Sequence, residues 1–306
     1  MMEEEQFGED DFFRNHTIVI VGLGLMGGSL AMAMRPFCNR LIAVDLNQEV
    51  LQAAQNSGVI DRGSAILDDI VPEADLIVLA APVGAILNVL EVLPNLHPRG
   101  CKVFDMGSTK SDIMMAMDRL PPRFDPLGGH PMCGKEKLSY FQAEAGLFHG
   151  APFALTPLSR TSNQWLNLAK ILCARIGAKP VILDAAQHDS IVAATSHLPY
   201  LLSSALVQAT SPEDKALIGP GFRGMARLAA TPPAMMLDVL LTNRAAILPA
   251  LQALRAELGV LYEVLNGENV EYLKKYLSHS QQKQQMLLDN NNQKNIGQQA
   301  TPHDQR

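Results

Sequence analysis

The sequence predicts an α/β fold, with a doubly wound, mostly parallel sheet followed by an all-helical domain. Three observations carry that prediction. Short β-branched and apolar runs alternate with helix-length stretches over the first 184 residues. The first such run ends in a glycine-rich turn that opens a helix. Beyond Asp184 the strand signal stops and only helical patterns follow.

Thr17 to Gly22 (TIVIVG) reads as a buried strand, and the segment from Gly24 to Met34 suits a helix. Leu41 to Asp45, Asp75 to Ala81 and Lys102 to Asp105 read as the next strands, each after a gap long enough for a helix. Such alternation means right-handed βαβ units. Ala151 to Leu155 and Pro180 to Leu183 look like further strands, with a helix around Trp165 to Ile176 between them. Ala185 to Ala209, Ala234 to Gly259 and Val270 to Tyr276 are helical in pattern, with a kink expected at Pro199. The expected divisions are an acidic, solvated arm at 1–15, an α/β domain at 16–184, a helical domain at 185–278, and a disordered Gln/Asn-rich tail at 279–306.

Composition narrows the function. Of 306 residues, 47% are hydrophobic and 18% charged, with a formal charge of -6. That balance argues against a nucleic-acid binder, which needs clustered Lys and Arg. No uninterrupted apolar run approaches the roughly 20 residues of a membrane span, and the acidic start is unlike a secretory signal. The four cysteines are far apart, with no Cys-x-x-Cys pair, so neither a disulfide framework nor a metal site is indicated. These features describe a cytoplasmic protein without membrane or nucleic-acid partners.

The first strand runs into Gly22-Leu-Gly24-Leu25-Met26-Gly27, a G-x-G-x-x-G. Gly22 permits the tight turn, Gly24 lets backbone approach a pyrophosphate, and Gly27 lets the helix pack on the strand. Helix N-terminal amides then face the phosphates. Asp45 closes the next strand about twenty residues on, where a Rossmann-type fold places its ribose ligand. A carboxylate there accepts the ribose 2′-hydroxyl and repels a 2′-phosphate, so NAD is expected over NADP. Ala81, which ends the third strand, and Pro82 after it belong to the same crevice.

Two polar clusters fall where strands end: Asp105-Met-Gly-Ser108-Thr-Lys110, and Gly128-Gly-His130-Pro131-Met-Cys-Gly134-Lys135-Glu136. Pro131 biases His130 towards extended backbone. Ser108 suits a ligand contact, a cap of the following helix, or both. In the helical domain, Ser190, Ala193, Ala194, His197, Leu201 and Ser204 would share a face. Arg223 and Arg227 stand among Gly, Phe, Met, Ala and Leu; buried, they would need an anion, either Glu136 or a substrate carboxylate.

Taken in order, Gly22-Leu-Gly-Leu-Met-Gly-Gly-Ser29, Asp105-Met-Gly-Ser-Thr-Lys110, Gly129-His-Pro-Met-Cys-Gly134, Ala145-Gly-Leu-Phe-His-Gly150, Ser196-His-Leu-Pro199, Gly221-Phe-Arg-Gly-Met-Ala-Arg-Leu-Ala229 and Asn243 to Leu248 resemble the prephenate/arogenate dehydrogenase family of tyrosine biosynthesis. The similarity spans residues 16 to 276. It implies a Rossmann domain with a helical dimerisation domain, a homodimer, and NAD-dependent oxidative decarboxylation. By resemblance His130 takes the proton of the substrate hydroxyl. Ser108 contacts that hydroxyl and the nicotinamide ribose. Arg227 pairs with a substrate carboxylate, and His197, Arg223 and Tyr200 line the pocket.

Three positions depart from the family pattern. Tyr200 stands where a second His is common, Gly224 where an acid often follows Gly-Phe-Arg, and Lys135 where a small hydroxyl residue is usual. A lysine near the pocket disfavours the extra ammonium of arogenate, which leans the expectation to prephenate. Arogenate dehydrogenase is the alternative. A β-hydroxyacid dehydrogenase would carry a lysine in the helix from 185 to 209, which has none. A non-catalytic NAD-binding regulator would need the glycine loop but not His130, Ser108 and Arg227 together.

Overall fold

The computed structural model describes residues 12–135 and 139–288. The acidic residues 1–11, Glu136 and the Gln/Asn-rich residues 289–306 lie outside the described residues. A single turn, α1 (Phe12–Asn15), leads into β1 (Thr17–Val21), α2 (Leu25–Met34), β2 (Arg40–Val44), α3 (Gln48–Asn56) and β3 (Arg62–Ser64). Next come β4 (Leu76–Leu79), α4 (Val83–Leu96), β5 (Lys102–Asp105), α5 (Ser111–Asp118) and β6 (Asp125–Pro131). β7 (Pro152–Pro157), α6 (Asn163–Arg175) and β8 (Lys179–Ile182) complete the sheet.

The strand order is β3-β2-β1-β4-β5-β6-β7-β8, and only the β6–β7 pairing is antiparallel. Central strands are covered on both sides, which explains their unbroken apolar runs. Ile18, Ile20, Leu76, Val78 and Phe104 pack into one core with Phe13 and Trp165. Their neighbours Val19, Val21, Ile77, Leu79 and Val103 pack into a second core with Ile86, Val89 and Met117. Alternate side chains thus serve opposite faces, as strand geometry requires.

The arm was expected to run to residue 15, yet α1 is ordered against the sheet. Phe13 is fully buried and stacks edge-on with Phe37, a burial worth about 1.5–3 kcal/mol. β3 and β6 carry no apolar-run signal and were not expected as strands.

After β8 come α7 (Ala185–Val192), a π-turn over Ala193–His197 and α8 (Leu198–Gln208). Pro199 has no amide to donate to the Thr195 carbonyl, and the π-turn absorbs that break. The same turn shifts the buried face. Ser190 and Ala194 are exposed, whereas Asp189, Ala193 and His197 are buried. α9 (Pro220–Ala226), the 3₁₀ turn Arg227–Ala230 and α10 (Pro233–Thr242) follow. Asn243 interrupts the helix expected over 234–259 and separates α10 from α11 (Arg244–Asn266).

Contacts divide the chain into two compact units after Ile247. The second contains the later turns of α11 and α12 (Val270–Leu288), joined by a 2.8 Å hydrogen bond from Tyr276 to Glu257. α12 passes the expected tail boundary at 279, because Gln, Lys, Met and Leu are good helix formers whatever they bury. Two helical stretches, Ala185–Gln208 and Arg244–Asn266, are long and apolar enough on average to cross a bilayer. No uninterrupted run suggests this, because polar residues are spaced along both. The first, however, sinks His188, Asp189 and His197 into the sheet-bearing unit.

Candidate active site

The carboxyl ends of β1, β2, β4, β5 and β6 lie along one sheet edge, since these strands are parallel. Chain order reverses between β1 and β4, which makes a crevice there. Gly22 opens the loop after β1 with φ +97, a conformation L side chains rarely adopt. A Cβ on it would meet the Ala80 carbonyl oxygen at 2.7 Å. A Cβ on Gly27 would overlap the Gly22 carbonyl, so only glycine lets α2 pack this close to the loop. Gly24 caps α2 without a side chain, leaving the first-turn amides to the crevice.

Asp45 ends the neighbouring strand. Its carboxylate accepts the Leu23 amide at 2.7 Å and the Asn47 amide at 2.8 Å, so it is fixed beside the glycine loop. Leu25 is buried beneath the loop while Met26 is half-buried. Ala81 and Pro82 lie between β4 and α4, half-buried and exposed respectively. A bare helix N-terminus, a glycine cradle and a fixed acid at the next strand end fit a nicotinamide dinucleotide.

β5 delivers a buried ion pair. Lys110 and Asp105 have fully buried side chains in direct contact, and the Lys110 ammonium also donates to the Gly129 carbonyl at 2.8 Å. The Gly107 and Gly129 amides donate to Asp105 at 2.8 and 3.3 Å. Burial pushes the Asp105 carboxyl up and the Lys110 ammonium down from their ordinary ranges. The pair binds the β5–α5 loop to β6 under the crevice. Ser108 sits in that loop, half-buried. It does not cap α5: that helix starts at Ser111, and Asp189 fills the role.

His130 lies within β6 itself rather than in a loop. Its Nδ1 is 2.8 Å from the Nε2 of His188, whose Nδ1 is 2.9 Å from Asp189 Oδ1. Asp189 also accepts the Lys110 and Ser111 amides, each at 2.8 Å. Burial pulls His130 well below the ordinary histidine range, and positive charge on His188, Lys110 or His197 would pull it further. Burial pushes Asp189 up, but bonds from His188, Ser111 and the two amides outweigh it and hold the carboxyl low.

His197 joins the same cluster. The Asn243 amide donates to the Asp189 backbone carbonyl at 2.8 Å and lies 3.1 Å from His197 Nδ1. Burial takes His197 down to about 4. The structure therefore gathers His130 and His197, as expected, around His188, Asp189 and Asn243, which were not expected. A signal existed in the spacing of Asp189, Ala193 and His197, four apart on a helix.

The other expected residues are less enclosed. Arg223 and Arg227 are exposed, so the premise that an apolar neighbourhood buries them fails. They ride on α9 and the turn after it, which is joined to α8 by the Ala229 amide donating to Ser203 Oγ at 2.9 Å. Tyr200 is half-buried at the start of α8. Lys135 donates to the Gln142 carbonyl at 2.9 Å and pairs with Glu144 at 2.9 Å. Its charge is thereby compensated locally, which weakens the lean towards prephenate drawn from it.

This fold and crevice define a dinucleotide-dependent oxidoreductase. Residues 30–182 match the family described as prephenate dehydrogenase, nucleotide-binding domain, and residues 184–279 match prephenate dehydrogenase, dimerization domain. Prephenate dehydrogenase of Bacillus subtilis is 33% identical over 270 residues, covering 85% of this chain and 73% of that one. The structure of prephenate dehydrogenase from A. aeolicus in complex with hydroxyphenyl propionate and NAD+ superposes with a TM-score of 0.81 at 28% identity, covering 89% and 98% of the two chains. Synechocystis arogenate dehydrogenase gives 0.78 at 28% identity, over 89% and 100%. The chain belongs to the prephenate dehydrogenase family of NAD-dependent oxidoreductases.

Proposed function

We propose that the protein oxidatively decarboxylates prephenate to 4-hydroxyphenylpyruvate with NAD. The carrying observation is His130: it lies at the edge that holds the dinucleotide loop, kept uncharged by burial and hydrogen-bonded through one ring nitrogen. An uncharged imidazole can accept the proton of a substrate hydroxyl, help worth about 10²–10⁴-fold. Gly22, Gly24, Leu25, Met26, Gly27, Asp45, Ala81 and Pro82 hold the cofactor, which supplies the electron-pair acceptor at the ring carbon. Ser108 orients the hydroxyl. The second ring nitrogen of His197 faces substrate as a donor, because its Nδ1 accepts from Asn243. Arg227 receives a carboxylate, and Arg223 and Tyr200 line the pocket. Loss of carbon dioxide makes the ring aromatic, so no strong base is needed.

A cytoplasmic homodimer completes this reading. The helical region matches a dimerization domain, and Leu237 and Leu241 on α10 are 57% and 62% exposed in the single chain. The likeness to an arogenate dehydrogenase makes arogenate the second substrate to try. Purified protein is mixed with NAD and either compound while NADH absorbance is followed. Prephenate should give the higher kcat/KM, and His130→Asn should remove most of the rate while sparing NAD affinity. Preference for arogenate would replace the substrate; no turnover of either would overturn the reading.

A further inference from the structure

Asp189 Oδ1 faces two donors, the Lys110 amide and the His188 ring, and Oδ2 faces the Ser111 amide. Backbone amides only donate, and they stand at the N-terminus of α5, where a negative charge is favoured. An ionised Asp189 has no proton to give, so His188 must donate through Nδ1. In the neutral ring the other nitrogen is then an acceptor. His188 Nε2 therefore receives a proton from His130 Nδ1, 2.8 Å away. That leaves His130 Nε2 bare.

We propose that His188 and Asp189 are positioning residues that hold His130 as its Nδ1–H tautomer, making Nε2 the atom that accepts the substrate proton. This rests on the reading of His130 as the base. When Nε2 takes that proton, the new positive charge sits one hydrogen bond from His188 and two from the Asp189 carboxylate. Charge in the developing state is thus met by groups already in place. The charged and titratable groups around His130 are His188 and Asp189 on α7, His197 in the π-turn, and Lys110 with its partner Asp105 from β5 and its loop. Asp189 is the one that favours the imidazolium. The pairing spans 58 residues from His130 to His188, so no local motif announces it.

Nitrogen-15 NMR of the full chain, labelled at histidine and saturated with NAD, reads the tautomer without a substrate. The His130 signals, assigned by their loss in His130→Asn, should show Nδ1 protonated and Nε2 bare. A protonated Nε2 overturns the proposal. Two substitutions then separate positioning from mere support. His188→Gln keeps an acceptor near the Nε2 position, whereas His188→Asn keeps only a donor towards Asp189. Turnover should rank wild type above Gln above Asn, with Asn slowed on the order of 10²-fold in kcat at nearly constant KM. A purely structural His188–Asp189 contact ranks Asn above Gln, and that order overturns the proposal. If the wild type turns over neither prephenate nor arogenate yet shows the Nδ1–H tautomer, the substrate reading fails and the positioning assignment stands.

Discussion

Asp189 accepts the backbone amide of Ser111 at 2.8 Å, so a carboxylate on the first helix after the sheet caps a helix inside it. The Lys110 amide reaches the same carboxylate, and Asp189 is 2% exposed. Removing it leaves two amides without partners in a closed setting. Asp189→Ala should cost about 3 kcal/mol in urea unfolding, from the lost cap and the unsatisfied amides. Trp165, buried in the core, is the only tryptophan and reports the transition. Asp189→Asn keeps an acceptor for the amides and should recover most of that loss. A loss below about 1 kcal/mol for the alanine variant would contradict the cap.

The buried pair beneath the crevice behaves differently. Lys110→Met leaves the Asp105 carboxylate without its cation and should destabilise by about 3–5 kcal/mol. Adding Asp105→Asn removes that charge but retains an acceptor for the Gly107 and Gly129 amides. The double variant should therefore be more stable than Lys110→Met alone. A double variant that is less stable by calorimetry would show that the pair is not the source of the cost.

How much of this was legible depended on range. β1, β4 and β5 declared themselves because a strand covered on both faces must be apolar at every position, and Ile18 to Val21 are. β6 hid behind Asp-Pro-Leu-Gly-Gly-His-Pro, a composition that reads as a loop. Its glycines are there for close approach: a Cβ on Gly129 would lie 2.6 Å from the Phe104 ring and 2.8 Å from the Asp105 carbonyl. β3 is only Arg62 to Ser64, too short for any pattern. The glycine loop, Asp45 and His130 were visible because each sits in a local motif. His188, Asp189 and Asn243 were missed because, apart from the His188–Asp189 contact itself, their partners lie 46 to 79 residues away, and only the four-residue spacing of Asp189, Ala193 and His197 hinted at them. The burial expected of Arg223 and Arg227 failed for the converse reason: apolar neighbours in sequence do not bury a helix face in space.

Cofactor choice follows from Asp45. The Leu23 and Asn47 amides fix its carboxylate, so it cannot swing away from a 2′-phosphate. Asp45→Ser removes the repulsion and shortens the acceptor. The ratio of kcat/KM for NADP over that for NAD should rise at least about tenfold, which is 1.4 kcal/mol of discrimination. An unchanged ratio would refute the assignment of Asp45 to the ribose.

His197 makes stability depend on pH. Burial lowers it from 6.5 to about 4 in the folded chain. Between those values the unfolded chain binds a proton that the folded chain refuses, so stability rises with pH across the window. The contribution is complete above pH 6.5 and is lost as pH falls towards 4, amounting to about 3 kcal/mol at 1.36 kcal/mol per pKa unit. Burial accounts for the direction, and Asn243 acts the same way, since its amide can only donate to His197 Nδ1 and so favours that nitrogen unprotonated. Urea unfolding at half-unit pH steps from 4 to 7 should give His197→Gln a slope smaller by up to about 1.4 kcal/mol per pH unit than wild type. Equal slopes in the two proteins would mean that His197 titrates alike folded and unfolded, and that its ring is not held neutral by the cluster.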